Sequence, residues 1–439
     1  MKTSFSSLDR HTTRTCEYSE PDRYRQIFTR PSDASMIARG SGLSYVAASF
    51  SERATSVGMK RFNRILAFDR DEGRIEVEAG VTLGQLYEFL TPLGLHLPVQ
   101  PGHPQITIGG CIAGNVHGKN QFKEGVFKSL VREFRLFHPD HGVISASPGS
   151  NADIFDLTCG GLGLTGIIVS AQLSVAPLPG TAMRVDHLPV EDLDDAFRKV
   201  NSLASEYDMM YCWCDLSVLG RRAGSGYIVT GRFVSEDAAA HSGRPFKPLD
   251  PSSSAKFRPR LFANALIPWV NRAYRYRETR QSGPHTVPLF DFLFPAVGKE
   301  FYFDWFGNNG FVEHQVLIPT NAIEDYPSAV MKLLRHHGQP AALATVKAFR
   351  GNQHLLHYDG AGLNFTIDVI NRAESRDLLK DMDDINSRFG AITNVMKDSR
   401  LSAAVAERQY SEYGEFRERL HSFDPKRRFT SCLSERLGL

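Results

Sequence analysis

Apolar and polar positions repeat at different periods along the chain, and each period predicts one kind of element. Alternation of apolar and charged residues predicts a strand at residues 74–80. Thr82 and Gln85 then form a capping-box pattern, and leucines recur behind them at helical spacing, which predicts a helix. The strand-like runs 130–137 and 143–146 flank a Pro-Asp-His-Gly turn signal and therefore predict a hairpin.

Most other predicted elements lie in the middle and C-terminal parts of the chain. Residues 1–30 are polar and show no periodic signal. The predicted helices are 152–158, 193–203, 323–337 and 378–389, and the predicted strands are 167–175, 211–216, 227–233, 311–318, 343–349 and 364–370. Strands that alternate with helices on an antiparallel plan favour an α+β domain in this part of the chain.

Length and composition indicate a folded protein of two domains. A chain of 439 residues exceeds the size at which one core keeps growing, and 42% hydrophobic with 23% charged residues is typical of globular proteins. A net charge of +2 gives no argument for nucleic acid as a partner. No apolar run reaches 18 residues, the start of the chain lacks the apolar core of a signal peptide, and the six cysteines lack metal-type spacing. We therefore expect a reduced, cytoplasmic protein without a metal site.

Small residues cluster in the segment 98–120 in a way that a hydrophobic core does not require. Five glycines fall within 17 positions, at Gly102, Gly109, Gly110, Gly114 and Gly118. Because glycine costs about 0.5–1 kcal/mol in a regular element, this density indicates a backbone that lies against a ligand. Thr107, Asn115, His117 and Lys119 lie between the glycines and can hold polar groups. An ordinary glycine-rich turn is the alternative.

Two further glycine clusters resemble dinucleotide fingerprints without matching them. In R-G-S-G-L-S-Y (residues 39–45), Tyr45 stands where the third glycine would be, and no helical pattern follows. In G-G-L-G-L-T-G (residues 160–166), a helix precedes the motif and a strand follows it, which is the reverse of a Rossmann site. We therefore expect loops whose backbone contacts a nucleotide outside a Rossmann fold.

A basic and aromatic segment follows a change of composition after residues 177–180, which mark a candidate domain boundary. Residues 235–254 are polar and predict a loop, whereas residues 256–280 contain seven basic residues against a single acid, Glu278. Large apolar residues such as Trp269 are interleaved with the basic ones. This mixture favours a segment at a membrane surface, with a solvated basic face as the alternative.

Taken together, the motifs resemble the vanillyl-alcohol oxidase type of FAD flavoprotein and, within it, the polyprenylphosphoryl-ribose oxidases. R-G-S-G-L-S-Y, V-x-A-G (residues 77–80), the segment 98–120, G-G-L-G-L-T-G-I and K-D-S-R (residues 397–400) occur in the family's order. The resemblance covers nearly the whole chain and is strongest over residues 38–175 and 391–439. It implies a two-domain α+β fold, with an FAD-binding domain at 1–179 completed by 392–439 and an inserted α+β substrate domain at 180–391.

The resemblance also implies FAD as the cofactor, with the loop 38–48 around its pyrophosphate. The implied cofactor-binding residues are Arg39, Gly40, Ser41, Gly42, Leu43, Ser44, Tyr45, Gly102, Thr107, Ile108, Gly109, Gly110, Gly114, Asn115, Val116, His117, Ile168 and Asn394. Covalent members of the superfamily often carry a flavin-linking histidine at the position of Leu43, so the FAD is expected to be non-covalent. Asn394 stands where members of this family usually have tyrosine.

The catalytic residues implied by the resemblance are Lys397, His117 and Tyr45. Alcohol oxidation needs a group that accepts the hydroxyl proton and a positive charge near the reduced flavin, and Lys397 suits the second need. The implied substrate-binding residues are Lys119, Trp213, Glu313, Gln315, Lys347, Asn364, Thr366 and Lys397. Mycobacterial members have cysteine at the position of Thr366 and glutamine at that of Glu313. From the residues alone, Trp213 is as readily a core residue as a site residue.

The implied function is oxidation of the C2 hydroxyl of a polyprenyl-phospho-ribose to a 2-keto sugar, as the first half of an epimerisation. A short-chain NAD(P)H-dependent reductase would be the partner, and the protein would contact the inner face of the cell membrane peripherally. The alternatives are a soluble sugar, alditol or aldonolactone oxidase, and a non-catalytic flavin-binding subunit of an epimerase complex.

Overall fold

A computed structural model describes residues 1–30, 35–235, 261–262, 265–280 and 283–439. Its strands are β1 (Lys2–Ser6), β2 (Thr13–Ser19), β3 (Met36–Arg39), β4 (Thr55–Gly58), β5 (Ile65–Asp69), β6 (Arg74–Glu78), β7 (Leu95–His96), β8 (Val131–His138), β9 (Gly142–Ala146), β10 (Ile167–Ser174), β11 (Ala176–Pro177), β12 (Ala182–Val190), β13 (Met209–Cys214), β14 (Gly226–Val234), β15 (His285–Pro288), β16 (Phe311–Pro319), β17 (Leu343–Phe349), β18 (Gly362–Ile370) and β19 (Ile392–Thr393). Its α-helices are α1 (Tyr24–Phe28), α2 (Leu83–Leu90), α3 (Ile108–Gly114), α4 (Gln121–Glu124), α5 (Ala152–Thr158), α6 (Leu193–Leu203), α7 (Ile267–Glu278), α8 (Leu289–Leu293), α9 (Phe301–Asp304), α10 (Tyr326–His337), α11 (Ala373–Arg388), α12 (Ala403–Gln409), α13 (Tyr413–Phe423) and α14 (Cys432–Leu437). Short 3₁₀ helices lie at Thr91–Leu93, Phe127–Leu130, Ala204–Glu206 and Thr320–Ala322.

The described strands form three larger sheets and one short pair. A four-stranded sheet has the order β1-β2-β4-β3, and a five-stranded sheet has the order β5-β6-β10-β8-β9. The short pair is formed by β11 and β7. The largest sheet has eight strands in the order β15-β12-β14-β13-β17-β18-β16-β19, and every pairing recorded in it is antiparallel.

Several local predictions are confirmed by the structure. The Thr82 side chain accepts a hydrogen bond from the Gln85 backbone, and the Gln85 side chain accepts one from the Thr82 backbone, so α2 begins with the capping box. The hairpin forms from β8 and β9, and α5 and α6 have the predicted bounds. Helices and sheets together make the fold α+β. The inserted substrate domain and the bounds 179/180 and 391/392 stay predictions.

The eight-stranded sheet has one apolar and one polar face, because successive side chains of a strand point to opposite sides. The apolar face packs beneath α6, α10 and α11, and its buried residues include Cys212, Ile228, Val312, Val316, Ala344, Val346, Phe365 and Ile367. Removing this face from water is the main stabilising contribution to this part of the fold. On the opposite face, called the polar face, β12–β14 carry buried apolar side chains such as Met183 and Val229, and the polar side chains lie in β16–β18.

The C-terminal residues return to the N-terminal strands. Met36 donates its backbone N–H to Arg428 O at 2.7 Å, and Thr430 donates to Met36 O at 3.2 Å. Farther along, Cys432 donates to Phe50 O at 2.9 Å. These backbone bonds tie the end of the chain to the segments on both sides of the glycine cluster at residues 39–45. That cluster is called the first glycine loop below.

Residues 1–30 contain regular structure, although their sequence shows no periodic signal. They form β1, β2 and α1, and the two strands are held by pairing with each other and with β4 rather than by a continuous apolar pattern. Only Phe5 and Cys16 among the strand residues are buried, which explains the weak sequence signal.

The glycine-rich segment 98–120 contains a helix that its composition does not indicate. Thr107 caps α3, and its hydroxyl accepts the Gly110 N–H at 3.3 Å. Gly109 donates to Ala79 O at 2.8 Å, and a Cβ at Gly109 would approach the Ala79 Cβ to 3.1 Å. The glycines therefore let a helix lie close against the turn that follows β6. None of the described helices combines the length and the apolar character needed to cross a membrane.

Candidate functional site

The polar face of the eight-stranded sheet collects most of the predicted substrate residues in three neighbouring strands. Antiparallel pairing sets Glu313 opposite Asp368, and Gln315 opposite Thr366. On the other side of β18, Lys347 lies opposite Asn364. Residues two apart on one strand share a face, so the sheet presents these side chains as one surface.

A chain of hydrogen bonds orients the amide groups on this surface. Tyr358 donates its hydroxyl to Asn364 Oδ1 at 2.6 Å, and Asn364 Nδ2 donates to Thr366 Oγ1 at 3.3 Å. Gln315 Nε2 donates to the same hydroxyl oxygen at 3.1 Å. Asn394 Nδ2 in turn donates to Gln315 Oε1 at 2.5 Å. These side chains therefore have fixed donor and acceptor directions.

Lys397 lies where the polar face meets the first glycine loop. Its Nζ is 3.0 Å from Glu313 Oε1 and 3.5 Å from the centroid of the Tyr45 ring. The Lys397 side chain is 26% exposed and that of Glu313 is 8% exposed. An ion pair and a cation–π contact in one partly buried place hold the ammonium group more firmly than a surface lysine is held. Lys397 is therefore not an ordinary surface lysine in a polar turn.

A buried network fixes the turn that carries Lys397. Asp398 accepts from His314 Nδ1 at 2.7 Å and from Arg400 Nη2 at 2.9 Å. Arg400 also forms two hydrogen bonds to Asp383, of 2.6 and 2.8 Å. Burial raises the pKa of Asp398, but Arg400 and His314 together lower it well below its usual range, so this carboxyl is ionised.

The same turn is bonded to the N-terminal and C-terminal parts of the chain. The Ser399 hydroxyl donates to the Asp9 carboxylate and contacts Tyr45 O at 3.1 Å, and Arg436 donates to Ser399 O. Burial raises the pKa of Asp9 to about 6. Residues from the N-terminal and C-terminal parts of the chain thus hold the turn that carries Lys397. The position of Lys397 therefore depends on the whole fold.

His117, Lys119 and Lys347 bring basic groups to the site from two elements. Burial and the charge of Lys347 lower the pKa of His117 to about 3, so its ring is neutral. Burial lowers the pKa of Lys119 to about 7, and burial with the charge of Lys397 lowers that of Lys347 to about 8. Lys119 Nζ donates to Leu293 O at 2.7 Å. Within the described ranges no carboxylate lies within ion-pair distance of Lys347, which fits an anionic ligand.

The first glycine loop and α3 approach each other so closely that a side chain at Gly40 would not fit. A Cβ at Gly40 would lie 2.3 Å from Thr107 Oγ1, and one at Gly42, where φ is +73°, would lie 2.3 Å from Arg39 Nη2. Arg39 is buried over the Phe5 ring at 4.0 Å and forms no ion pair with any described residue. Burial lowers its pKa to about 10, so the guanidinium remains a cation that can pair with an anion.

The surface formed by the first glycine loop and α3 is called the cradle below. Two polar atoms of these segments have no hydrogen-bond partner among the described residues. They are Ser44 Oγ and Asn115 Nδ2, both buried. Asn115 has φ +41° and uses its Oδ1 to accept Lys128 N at 3.0 Å, which leaves the amide donor free. A buried donor without a partner is costly, so a ligand with acceptor oxygens or ring nitrogens fits here. The cradle therefore suits the polar groups of a dinucleotide such as FAD.

Other predicted cofactor residues have local roles that the structure makes explicit. Ile108 and Ile168 are buried in the core beside the five-stranded sheet, whereas Gly110 is exposed and Ser41, Leu43 and Val116 are half-buried. A Cβ at Gly102 would meet nothing within 4 Å, so the protein alone does not require glycine there. The loop 160–166 packs on α3, where Gly160 donates to Ile112 O at 2.9 Å.

Trp213 is a core residue that lies on the same face of the sheet as the predicted substrate residues, and its role in binding stays a prediction. Its ring stacks on Tyr227 at 5.4 Å and contacts Tyr274 of α7 at 5.6 Å, and it is buried. Its strand partner is Thr345, which lies in the same row as Thr366. Trp213 therefore forms the aromatic side of the polar face.

Sequence reasoning missed Asp368 and its partner Tyr302. Asp368 is buried two residues after Thr366, and Tyr302 donates its hydroxyl to Asp368 Oδ2 at 2.6 Å. Burial and the charge of Glu313 raise the pKa of Asp368 well above its usual value, which favours its protonated form. Side chains alternate between the two faces along residues 364–368, so this pattern could have identified Asp368 from the sequence. Tyr302 instead lies in the separate short helix α9.

Comparisons with known proteins agree with this geometry. The model of the family described as FAD binding domain matches residues 28–147, which contain the first glycine loop and α3. The chain is an FAD-dependent oxidoreductase, and its FAD-binding domain contains these residues. It is similar to decaprenylphosphoryl-β-D-ribose oxidase of Mycolicibacterium smegmatis, with 29% identity over 96% of this chain and 94% of that protein.

Two other relatives show how the similarity is distributed. An uncharacterized protein of Streptomyces coelicolor is 25% identical over 82% of this chain and its own full length. L-gulonolactone oxidase of Mus musculus is 31% identical over only 28% of this chain and 27% of its own length. The similarity to L-gulonolactone oxidase therefore covers only a short region of each chain.

Replacing Arg400 tests whether the buried network stabilises the turn that carries Lys397. Arg400→Met should lower the free energy of unfolding by about 3–5 kcal/mol, because it leaves the Asp383 and Asp398 carboxylates buried without a cation. Arg408→Met is the control, since its pair with Asp384 is exposed and should contribute less than about 1 kcal/mol. Urea unfolding gives the free energy of unfolding of both variants. Equal losses in the two variants would show that the buried network does not stabilise this turn.

Proposed function

We propose that this protein oxidises the C2 hydroxyl of a polyprenyl-phospho-ribose to a 2-keto sugar, the first half of an epimerisation to the arabinose form. The observation that carries the proposal is the meeting of two surfaces at Lys397. The polar face of the eight-stranded sheet offers oriented amides and Lys347, and the glycine loops offer a cradle that suits FAD. A short-chain NAD(P)H-dependent reductase would complete the epimerisation.

FAD, when bound, would supply the hydride acceptor for the carbinol carbon. The residues proposed to hold it are the cofactor-binding residues predicted from the sequence, with Arg39 for its phosphates and Ser44 and Asn115 for its polar groups. Lys397 would place positive charge where negative charge develops during the reaction. Gln315, Asn364 and Thr366 would orient the sugar hydroxyls.

Two lysines support a phosphorylated substrate over a free sugar. Lys119 and Lys347 come from different elements, and burial lowers the pKa of both, so each would gain from an anionic partner. A free sugar, alditol or aldonolactone offers no such charge. The Lys397–Glu313 pair within this site argues against a non-catalytic flavin-binding subunit.

A surface beside the site supports a lipid-linked substrate. In α7, Trp269 is 69% exposed and Tyr276 is 68% exposed, with Arg272 exposed between them on the same side of the helix. The buried side of α7 contacts the aromatic end of the polar face through Tyr274. A peripheral membrane contact here would let the sugar reach the site while its lipid remains in the bilayer. Of the basic segment predicted at 256–280, residues 256–260 and 263–264 lie outside the described residues.

The FAD is proposed to be non-covalent, because Leu43 stands in the first glycine loop and leucine cannot form a bond to a flavin. Acid precipitation of the purified yellow protein should leave all the flavin in the supernatant. Flavin that stays with the protein pellet would show that another side chain forms a covalent link.

Replacing Lys397 tests the proposed reaction directly. Anaerobic mixing of the holoprotein with polyprenyl-phospho-ribose should bleach the flavin, and free ribose at the same concentration should not. Lys397→Ala should keep its FAD but reduce it about 10²–10³-fold more slowly, the usual cost of losing one charge-stabilising group. Lys380→Ala, on the exposed side of α11, is the matched control. Stopped-flow absorbance gives the rates, and equal rates for free and lipid-linked ribose would favour a soluble-sugar oxidase.

A paired substitution in α7 tests the membrane contact. Trp269→Ala with Tyr276→Ala should weaken sedimentation with anionic liposomes, because these rings can enter the interface while each neighbouring basic residue adds about 1 kcal/mol. Leu66→Ala with Val143→Ala is the control, since both residues are exposed on the five-stranded sheet. Equal sedimentation of the two double variants would mean that α7 is only a solvated face.

A further inference from the structure

Oxidation of an alcohol releases a hydroxyl proton, and the polar face contains several groups that could receive it. We infer that the carboxylate of Glu313 is the proton acceptor of this site, an inference that rests on the proposed function. Glu313 lies in β16 on the polar face, nearly buried, with Lys397 on one side and its strand partner Asp368 on the other. Its position at the junction of the sheet and the first glycine loop sets it beside any hydroxyl that also contacts Lys397.

The neighbouring groups are poor acceptors for identifiable reasons. Lys397 Nζ is already paired with Glu313 Oε1 at 3.0 Å. Burial and the charge of Glu313 raise the pKa of Tyr45 well above its usual value, which disfavours loss of its proton. The same two causes raise the pKa of Asp368 well above its usual value, which favours its protonated form. His117 is a weak base, because burial and Lys347 lower its pKa to about 3.

Glu313 retains capacity for a further hydrogen bond. A carboxylate offers two oxygens with about four acceptor positions. Lys397 Nζ takes one position at 3.0 Å, and the Tyr45 hydroxyl lies near enough to donate to another. The positions that remain can accept the substrate O–H.

The step balances with the groups named. The O–H bond of the substrate breaks and its proton forms a bond to a Glu313 oxygen, while its electron pair forms the C=O double bond. The C–H bond would break with both of its electrons leaving on the hydrogen, and bound FAD would supply the two-electron acceptor for this hydride. Afterwards the neutral Glu313 no longer pairs with Lys397, so the ammonium charge is free to stabilise other negative charge in the site.

Conservative variants of the two neighbouring carboxyl groups test the inference in the holoprotein. Glu313→Gln should bind polyprenyl-phospho-ribose within about tenfold of the parent by calorimetry. Its flavin reduction on anaerobic mixing should be slower by about 10²–10⁴-fold, the range for loss of a general base. Asp368→Asn is the matched variant, and it should lose much less rate because burial and the charge of Glu313 favour the protonated form of Asp368.

Infrared difference spectra provide a readout besides rate. Reduction of the parent by substrate should produce a new protonated-carboxyl band, which should persist in Asp368→Asn and be absent in Glu313→Gln. Reduction of Glu313→Gln at the parent rate, or a band that survives in it, would overturn the inference while leaving the proposed function intact. A parent protein that lipid-linked ribose does not reduce would overturn both.

Discussion

Arg400 forms buried ion pairs with Asp383 and Asp398, and the rest of the site depends on them. They fix a turn that would otherwise be a polar loop, and that turn presents Lys397 to Glu313 and to the Tyr45 ring. Buried charges of this kind are costly unless every partner is present, so the network also fixes the relative positions of β16, α11 and the C-terminal residues. The chemistry of the site is therefore coupled to the folding of distant segments.

The eight-stranded sheet imposes the second constraint. Its strands bury one face beneath helices, and alternation then puts the polar residues of β16, β17 and β18 on the other face. At the site, burial lowers the pKa of Lys119 and Lys347, whereas burial and the charge of Glu313 raise that of Asp368. Among the described residues, the site thus contains a buried carboxyl group, an ion pair and a lysine without an ion-pair partner, which suits the proposed phosphorylated sugar.

Much of this fold could be predicted from local pattern, and much of the site could not. Helix α5 and strand β17 follow from periodicity alone, and the family motifs identified Lys397 and Glu313. The strands of residues 1–30 were missed because pairing rather than burial holds them. Helix α3 was missed because its glycines allow a close approach to Ala79, a reason that depends on tertiary structure. Asp368 was missed because its importance comes from strand register, which places it opposite Glu313.

The central claim is that the glycine loops and the polar face form one site with Lys397 and Glu313 at its centre. A crystal structure of the holoprotein with a non-oxidisable polyprenyl-phospho-ribose analogue tests it most directly. The account predicts the C2 substituent between Glu313 and Lys397 and the phosphate beside Lys347 or Lys119. A sugar that lies away from Lys397, or a phosphate that contacts neither of those two lysines, would contradict it.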